Sequence, residues 1–292
     1  MARISIDRTA CIRCGACVDV CIAAGVFELD EAASKAVRPE LCWGCGQCVA
    51  ACPTDAIDHE TFPLEECPIC DATRLPSLDT LTTAFRARRS CRTYEDKPVP
   101  REVVRELVSV GRWAPTASNS QIFDWLAFDD QARIDTLSTA TVNELTRVIR
   151  LARNPLLRPV VAASYGRQAV KQAKEAGELA EQLTQRRARG EDPVLHHAPV
   201  FLVGHGMKGN RFGRDDAIFA TYNLMLAAER HGLASCQIGF FQVVAERSSR
   251  LRRLVGIPEG RAPQVALVLG YPRHPFRRLL PRRVPNLSWN PR

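Results

Sequence analysis

Cys11-Ile-Arg-Cys14-Gly15-Ala-Cys17-Val-Asp-Val-Cys21 and Cys42-Trp-Gly-Cys45-Gly46-Gln-Cys48-Val-Ala-Ala-Cys52 decide how the chain begins. Shifted by 31 residues, the first run falls on the second at all four cysteines, at the glycine and at Val18/Val49. Each run reads C-x2-C-x2-C-x3-C. Three thiolates two residues apart on a tight loop reach three irons of one cubane, while the fourth points away to the neighbouring cluster. The spacing therefore predicts Cys11, Cys14, Cys17 and Cys52 on one 4Fe–4S cluster. Cys42, Cys45, Cys48 and Cys21 are expected on a second. Gly15 and Gly46 let the backbone come close and turn its N–H groups toward sulfide.

Zinc and disulfides are the competing readings. Zinc sites pair two C-x2-C units a dozen or more residues apart rather than using triplets. The N-terminal Met-Ala-Arg-Ile-Ser-Ile-Asp has no apolar stretch ahead of the first cysteine, so it reads as no secretory signal. The expected location is the cytoplasm, where disulfides are rare. No apolar run approaches the roughly 18 residues of a spanning helix, and no membrane partner is expected.

A length of 292 residues suggests about two domains at roughly 150 residues each. Hydrophobic residues at 46% and charged ones at 25% are ordinary globular values. The net charge of +8 is unevenly placed. Residues 1–72 hold 5 basic and 12 acidic residues, net −7, and residues 73–292 hold 35 and 20, net +15. The basic excess is 35 Arg against 5 Lys, scattered along the chain rather than gathered on one reading helix, so nucleic acid is not an expected partner.

Residues 1–60 resemble a bacterial-type ferredoxin with two 4Fe–4S clusters. Cys52 is followed by the usual Pro53, but Cys21 is followed by Ile22, which alters the first turn and leaves the ligand count intact. Four cysteines lie outside the repeat. Cys67-Pro-Ile-Cys70 reads either as a redox dithiol or as two unengaged thiols. Cys91 and Cys236 read as small buried hydrophobes.

Residues 61–78 hold three prolines and several turn formers and read as a linker. From there to the C-terminus helices dominate. Asp79 opens one, Pro100 another with Val103, Val104, Leu107 and Val108 on one face, and Asp215 or Asp216 caps a third that ends before Gly232. Residues 131–190 read as mostly helical. Strands at 123–128, Pro199–Val203 and Val265–Leu269 are far apart in sequence, which gives an α+β layout.

Arg88-Arg89-Ser90-Cys91-Arg92 supplies forked cations and a hydroxyl suited to a phosphate, although such a run is also an ordinary basic helix end. Ala114-Pro-Thr-Ala-Ser118-Asn119-Ser-Gln121 supplies amides and hydroxyls in a turn. Ser235-Cys236-Gln237-Ile238-Gly239 and Leu269-Gly270-Tyr271-Pro272 follow, and Pro281-Arg282-Arg283 closes the series. In this order the segments resemble the FMN-dependent nitroreductase family over about 80–292.

The resemblance implies a nitroreductase-like α+β sandwich at 79–292, with 131–190 as a variable helical lid. It implies FMN phosphate and ribityl contacts from Arg88, Arg89, Ser90 and Arg92. It implies a ring-edge contact from Asn119, further cofactor contacts from Ser118 and Gln121, backbone approach to flavin N5 at Ile238 and Gly239, and phosphate closure by Arg282 or Arg283. It also implies a homodimer. Ile122-Phe123 stands where the family has Pro-Trp, which changes the pocket wall. No catalytic side chain is expected beyond the flavin itself.

A flavin joined to cubanes suits one-electron entry and two-electron delivery. The sequence is read as an oxidoreductase in which external ferredoxin, or a similar donor, feeds the clusters and then FMN. The acceptor is a planar conjugated molecule such as a nitroaromatic, quinone or activated alkene. The alternatives are an NAD(P)H-oxidising flavoenzyme whose clusters carry electrons out to a partner, and a non-catalytic redox sensor or electron-transfer module.

Overall fold

The computed structural model describes residues 3–23 and 25–290. The chain divides into two compact units, one of Met1–Pro76 with Thr116–Ser120 and one of Ser77–Pro115 with Gln121–Arg292. Among the described residues, no helix is long and apolar enough to cross a membrane.

The first unit is built from β1 (Ile4–Ile6), α1 (Ala16–Asp19), β2 (Phe27–Leu29), β3 (Ser34–Ala36), α2 (Gln47–Ala51) and β4 (Ile57–His59). β1 pairs antiparallel with β4, and β2 with β3. The sequence repeat is also a backbone repeat. Gly15 (φ 75°) and Gly46 (φ 73°) each turn the chain into a short helix through the left-handed region. Two residues earlier, Arg13 (φ 60°) and Gly44 (φ 65°) occupy the same conformation. The core is small: Val26, Phe27, Val49 and Ile57 pack with the sulfurs of Cys17 and Cys48.

The second unit contains α3 (Leu78–Ala87), α4 (Arg101–Gly111), β5 (Phe123–Phe128), α5 (Gln131–Arg153), α6 (Arg158–Tyr165), α7 (Arg167–Glu175) and α8 (Gly177–Ala188). These are followed by β6 (Val200–Met207), α9 (Gly213–Arg230), β7 (Ala234–Gln237), α10 (Gly239–Ala245), α11 (Ser249–Val255) and β8 (Arg261–Gly270). The four strands form one antiparallel sheet in the order β5-β6-β8-β7. The fold is α+β, with helices on both faces of this sheet.

Strand periodicity decides which layer each side chain serves. On β6, Phe201 and Val203 face one apolar core, and Val200 and Leu202 face the other. On β8, Ala266 and Val268 alternate with Leu267 and Leu269 in the same way. α5 and α10 build the first core, whereas α4 and α9 build the second. Ile134, Leu137, Leu145 and Ile149 make α5 a core helix along its length, although it begins the segment read from sequence as a lid.

Helix starts differ slightly from the sequence reading. α3 is capped by Ser77, whose Oγ accepts the Thr80 N–H at 3.2 Å, and Asp79 sits in its first turn. α9 begins at Gly213, so Asp215 and Asp216 also fall in the first turn, where their charge favours the helix dipole.

Phe201 is fully buried between the rings of Phe128 (5.9 Å) and Phe241 (5.1 Å). Phe201→Ala should destabilise the second unit by about 3–5 kcal/mol. Thermal unfolding of the intact protein should show that unit's transition moving down while the iron content stays unchanged.

Candidate functional site

In the first unit the sulfurs of the repeat receive backbone N–H groups. Ser34 N–H donates to Cys11 Sγ at 3.5 Å, Gly44 N–H to Cys42 Sγ at 3.3 Å and Ala56 N–H to Cys52 Sγ at 3.2 Å. A neutral thiol is a weak acceptor, so N–H groups aimed at sulfur suit thiolate ligands. Cys21, Cys42, Cys45 and Cys48 line one small cavity together with Ile22, Trp43 and Gly46. These four are the set assigned from sequence to one cluster, so the donors fit the group. Burial pushes the Cys48 thiol up to about 11. Coordination reverses that tendency, because a metal-bound thiol is deprotonated outright. Among the described residues, no three His, Cys, Asp or Glu side chains converge as a single ion requires. A cubane spaces its ligand sulfurs more widely than a single ion does.

In the second unit the arginine-rich segment is stitched beside β7. Ser90 bridges Ser235 in parallel, and Cys91 N–H donates to the Ser235 carbonyl at 2.9 Å. Tyr94 bridges Pro272, and its hydroxyl donates to the Cys91 carbonyl at 2.7 Å. This places Arg92 in the lining of a cleft of about 530 Å³ where β7 runs into α10. The cleft falls within the usual size of a small-molecule or cofactor site. Arg92, Ile238 and Gly239 line it, joined by Arg186, His196, Gln237 and Phe240. Arg88 offers a further mark of an anionic ligand. Its Nε and Nη1 are buried without a hydrogen-bond partner. Its charge acts on Glu229, yet burial still holds that carboxyl above the usual range. A phosphate-bearing cofactor would supply the missing acceptor.

Sequence reasoning missed the turn that brings His196 to the cleft. His196 (φ 62°) and His197 (φ 50°) are consecutive left-handed residues, a conformation that costs of order 1–3 kcal/mol each. Asp192 holds them there. Its buried carboxylate accepts Ser138 Oγ–H and the N–H groups of Val194 (3.1 Å), Leu195 (2.9 Å) and His197 (3.2 Å). Burial pushes the Asp192 carboxyl up, but these donors together outweigh it and keep it below the usual carboxylate range. His196 is held below the usual histidine range, first by burial and then by Arg92 and Arg186, although Asp192 pulls the other way. Its ring lines the cleft, where burial and the two arginines favour the neutral imidazole.

The remaining sequence-derived residues lie elsewhere. Ser118 and Asn119 belong to the segment that groups with the first unit, where Asn119 Nδ2 donates to the Gly44 carbonyl at 2.7 Å. Ser118, Asn119 and Gln121 all have left-handed backbone (φ 54°, 51° and 46°). Arg282 and Arg283 sit on the exposed segment after β8. Cys67 is half-buried against the small core of the first unit and Cys70 is exposed. Cys91 and Cys236 are buried in the core of the second.

Residues 85–271 match the sequence profile of the nitroreductase family, and residues 10–56 match that of the 4Fe-4S dicluster domain. The chain belongs to the nitroreductase family of FMN-dependent oxidoreductases and carries a ferredoxin domain at its N-terminal end. Chloronitrobenzene nitroreductase of Comamonas testosteroni is 26% identical over 214 residues, which is 68% of this chain and 88% of that protein. Polyferredoxin protein MvhB of Methanothermus fervidus is 40% identical over 62 residues, 21% of this chain, and the match spans only 14% of that longer protein. The crystal structure of oxidized iodotyrosine deiodinase bound to FMN and 3-iodo-L-tyrosine aligns with a TM-score of 0.51 at 21% identity. That alignment covers 72% of this chain and 98% of the other, and at this identity it speaks to the fold.

Asp192→Ala should cost about 1–3 kcal/mol, because Ser138 and three N–H groups lose their acceptor. The native Asp192 pKa is depressed. Its stabilisation is therefore complete above its unfolded value of about 3.9 and is lost as pH falls through the lower native value. Comparing unfolding of the wild type and Asp192→Ala at pH 7 and in acid should show the difference shrinking only in acid.

Proposed function

We propose that this chain is an iron–sulfur flavoprotein that takes electrons from reduced ferredoxin, or a similar low-potential donor, and delivers them to a planar conjugated acceptor. The carrying observation is the joining, in one chain, of the dicluster match at 10–56 and the nitroreductase match at 85–271. When bound, FMN supplies exchange between one- and two-electron transfer. The likeness to a chloronitrobenzene nitroreductase favours nitroaromatics among the acceptors.

The division of labour proposed is 1–60 as the cluster domain, 61–78 as linker and 79–292 as the flavin domain. Cys11, Cys14, Cys17 and Cys52 hold one cluster, and Cys42, Cys45, Cys48 and Cys21 hold the other. Arg88, Arg89, Ser90 and Arg92 bind the phosphate end of the cofactor, with Arg282 or Arg283 closing on it. Ile238 and Gly239 present backbone to the ring, Asn119 addresses its edge, and Ser118 and Gln121 make further cofactor contacts. Arg186 on α8 and His196 complete the wall of the cleft. A homodimer is proposed because α3 and α9 expose Leu78, Phe85, Phe219 and Tyr222, a surface apolar enough for a second copy to cover.

Protein purified anaerobically should carry about eight irons and one FMN per chain. Mixed in parallel with reduced ferredoxin, NADH and NADPH in an anaerobic stopped-flow instrument, it should be reduced fastest by ferredoxin. Faster reduction by a nicotinamide would make the clusters an exit, and a stable complex with a partner protein but no turnover would make the chain a sensor. Arg92→Ala should weaken FMN binding about ten- to a hundredfold, since a charge-assisted contact contributes about 1.5–3 kcal/mol. Unchanged affinity would move the phosphate site away from this segment.

A further inference from the structure

His59, the last residue of β4, is almost completely buried, and the cluster motif does not account for it. Its ring lies against Phe62, with centroids 5.2 Å apart. Phe62 in turn covers Gly46, where a Cβ would meet the Phe62 ring at 3.1 Å. The imidazole is thus wedged against the loop that carries Cys42, Cys45 and Cys48.

The hydrogen bonds on the ring fix its direction. Thr61 N–H donates to His59 Nδ1 at 3.1 Å, so Nδ1 is an acceptor and the ring proton resides on Nε2. Nε2 stands 3.6 Å from Cys42 Sγ, within reach of a hydrogen bond to sulfur. We infer that His59 is a positioning residue that donates Nε2–H to the Cys42 sulfur and raises the reduction potential of the cluster Cys42 ligates. The inference rests on the two-cluster reading proposed above. A donor on a ligand sulfur withdraws charge from the cluster and favours the reduced state, which carries one more negative charge.

The first half of the repeat is arranged differently. The residue 31 positions before His59 is Glu28, which is exposed. Cys11 there receives the Ser34 N–H, and Cys17 Sγ lies 3.0 Å from Ser34 Oγ. One loop is polarised by an imidazole and the other by a serine, so removing the imidazole should act on one cluster alone.

The test is an EPR-monitored redox titration of the full-length protein loaded with iron and FMN, comparing wild type, His59→Phe and His59→Gln. Two cluster signals and full iron in each protein establish the two-cluster reading independently of any shift. In His59→Phe, one cluster should become harder to reduce by about tenfold in its equilibrium, which is about 59 mV for a one-electron couple. The other cluster should not move. His59→Gln keeps a donor at similar reach and should recover most of the shift. Unmoved midpoints in His59→Phe, or equal shifts of both clusters in both variants, would overturn the inference. A second measurement needs no variant. Wild-type protein with 15N-labelled histidine should show a nitrogen hyperfine coupling to one reduced cluster, and the absence of that coupling would equally overturn it.

Discussion

The flavin unit depends on a short piece of chain being stitched at both ends. Cys91 N–H bonds to Ser235 beside β7, and Glu95 N–H bonds to the Tyr271 carbonyl just past β8. Arginines close together in sequence are thereby delivered to the end of a sheet whose strands come from residues 123 to 270. Arg92 is exposed, and without that stitching it would be one surface cation among many. With it, Arg92 lines the same cleft as Ile238 and Gly239. Two buried cysteines, Cys91 and Cys236, serve the same junction as small apolar fillers.

In the iron–sulfur unit the constraint is local backbone geometry. Each half must turn through the left-handed region to bring three thiols onto one loop. Gly15, Gly44 and Gly46 do so at little steric cost, while Arg13 does it with a side chain, in the position where the second half uses glycine. Duplication of one loop explains the shared spacing of the two halves. Their differences, with Ile22 against Pro53 and Glu28 against His59, are where the two clusters can be made unequal.

The features legible in sequence are those whose partners are close along the chain. Three of each cluster's four ligands sit within one loop and the fourth comes from the other half at fixed spacing, so the spacing carries the chemistry. β5 is legible because its aromatic and apolar residues, Phe123, Trp125, Leu126 and Phe128, are followed at once by Asp129-Asp130. Features that depend on distant partners were not readable. Asp192 carries no local signal, because its buried partner Ser138 lies far away on α5. β6 runs on to Met207 through Gly204 and Gly206, residues that read as breakers. A Cβ on Gly204 would lie 2.7 Å from Val265 Cγ2, so glycine is there to let two strands pack. β8 begins at Arg261, ahead of its apolar run, because Pro263 is accommodated beside the register shift at Gly204/His205.

The proposed function requires electrons to pass from the clusters to the flavin within the protein itself. It is tested most directly by single-turnover reduction of the fully loaded protein with limiting one-electron donor, following cluster and flavin absorbance over a range of protein concentrations. The clusters should be reduced first, and flavin reduction should follow at a rate independent of protein concentration. Flavin reduction that precedes the clusters, or whose rate rises in proportion to protein concentration, would contradict it.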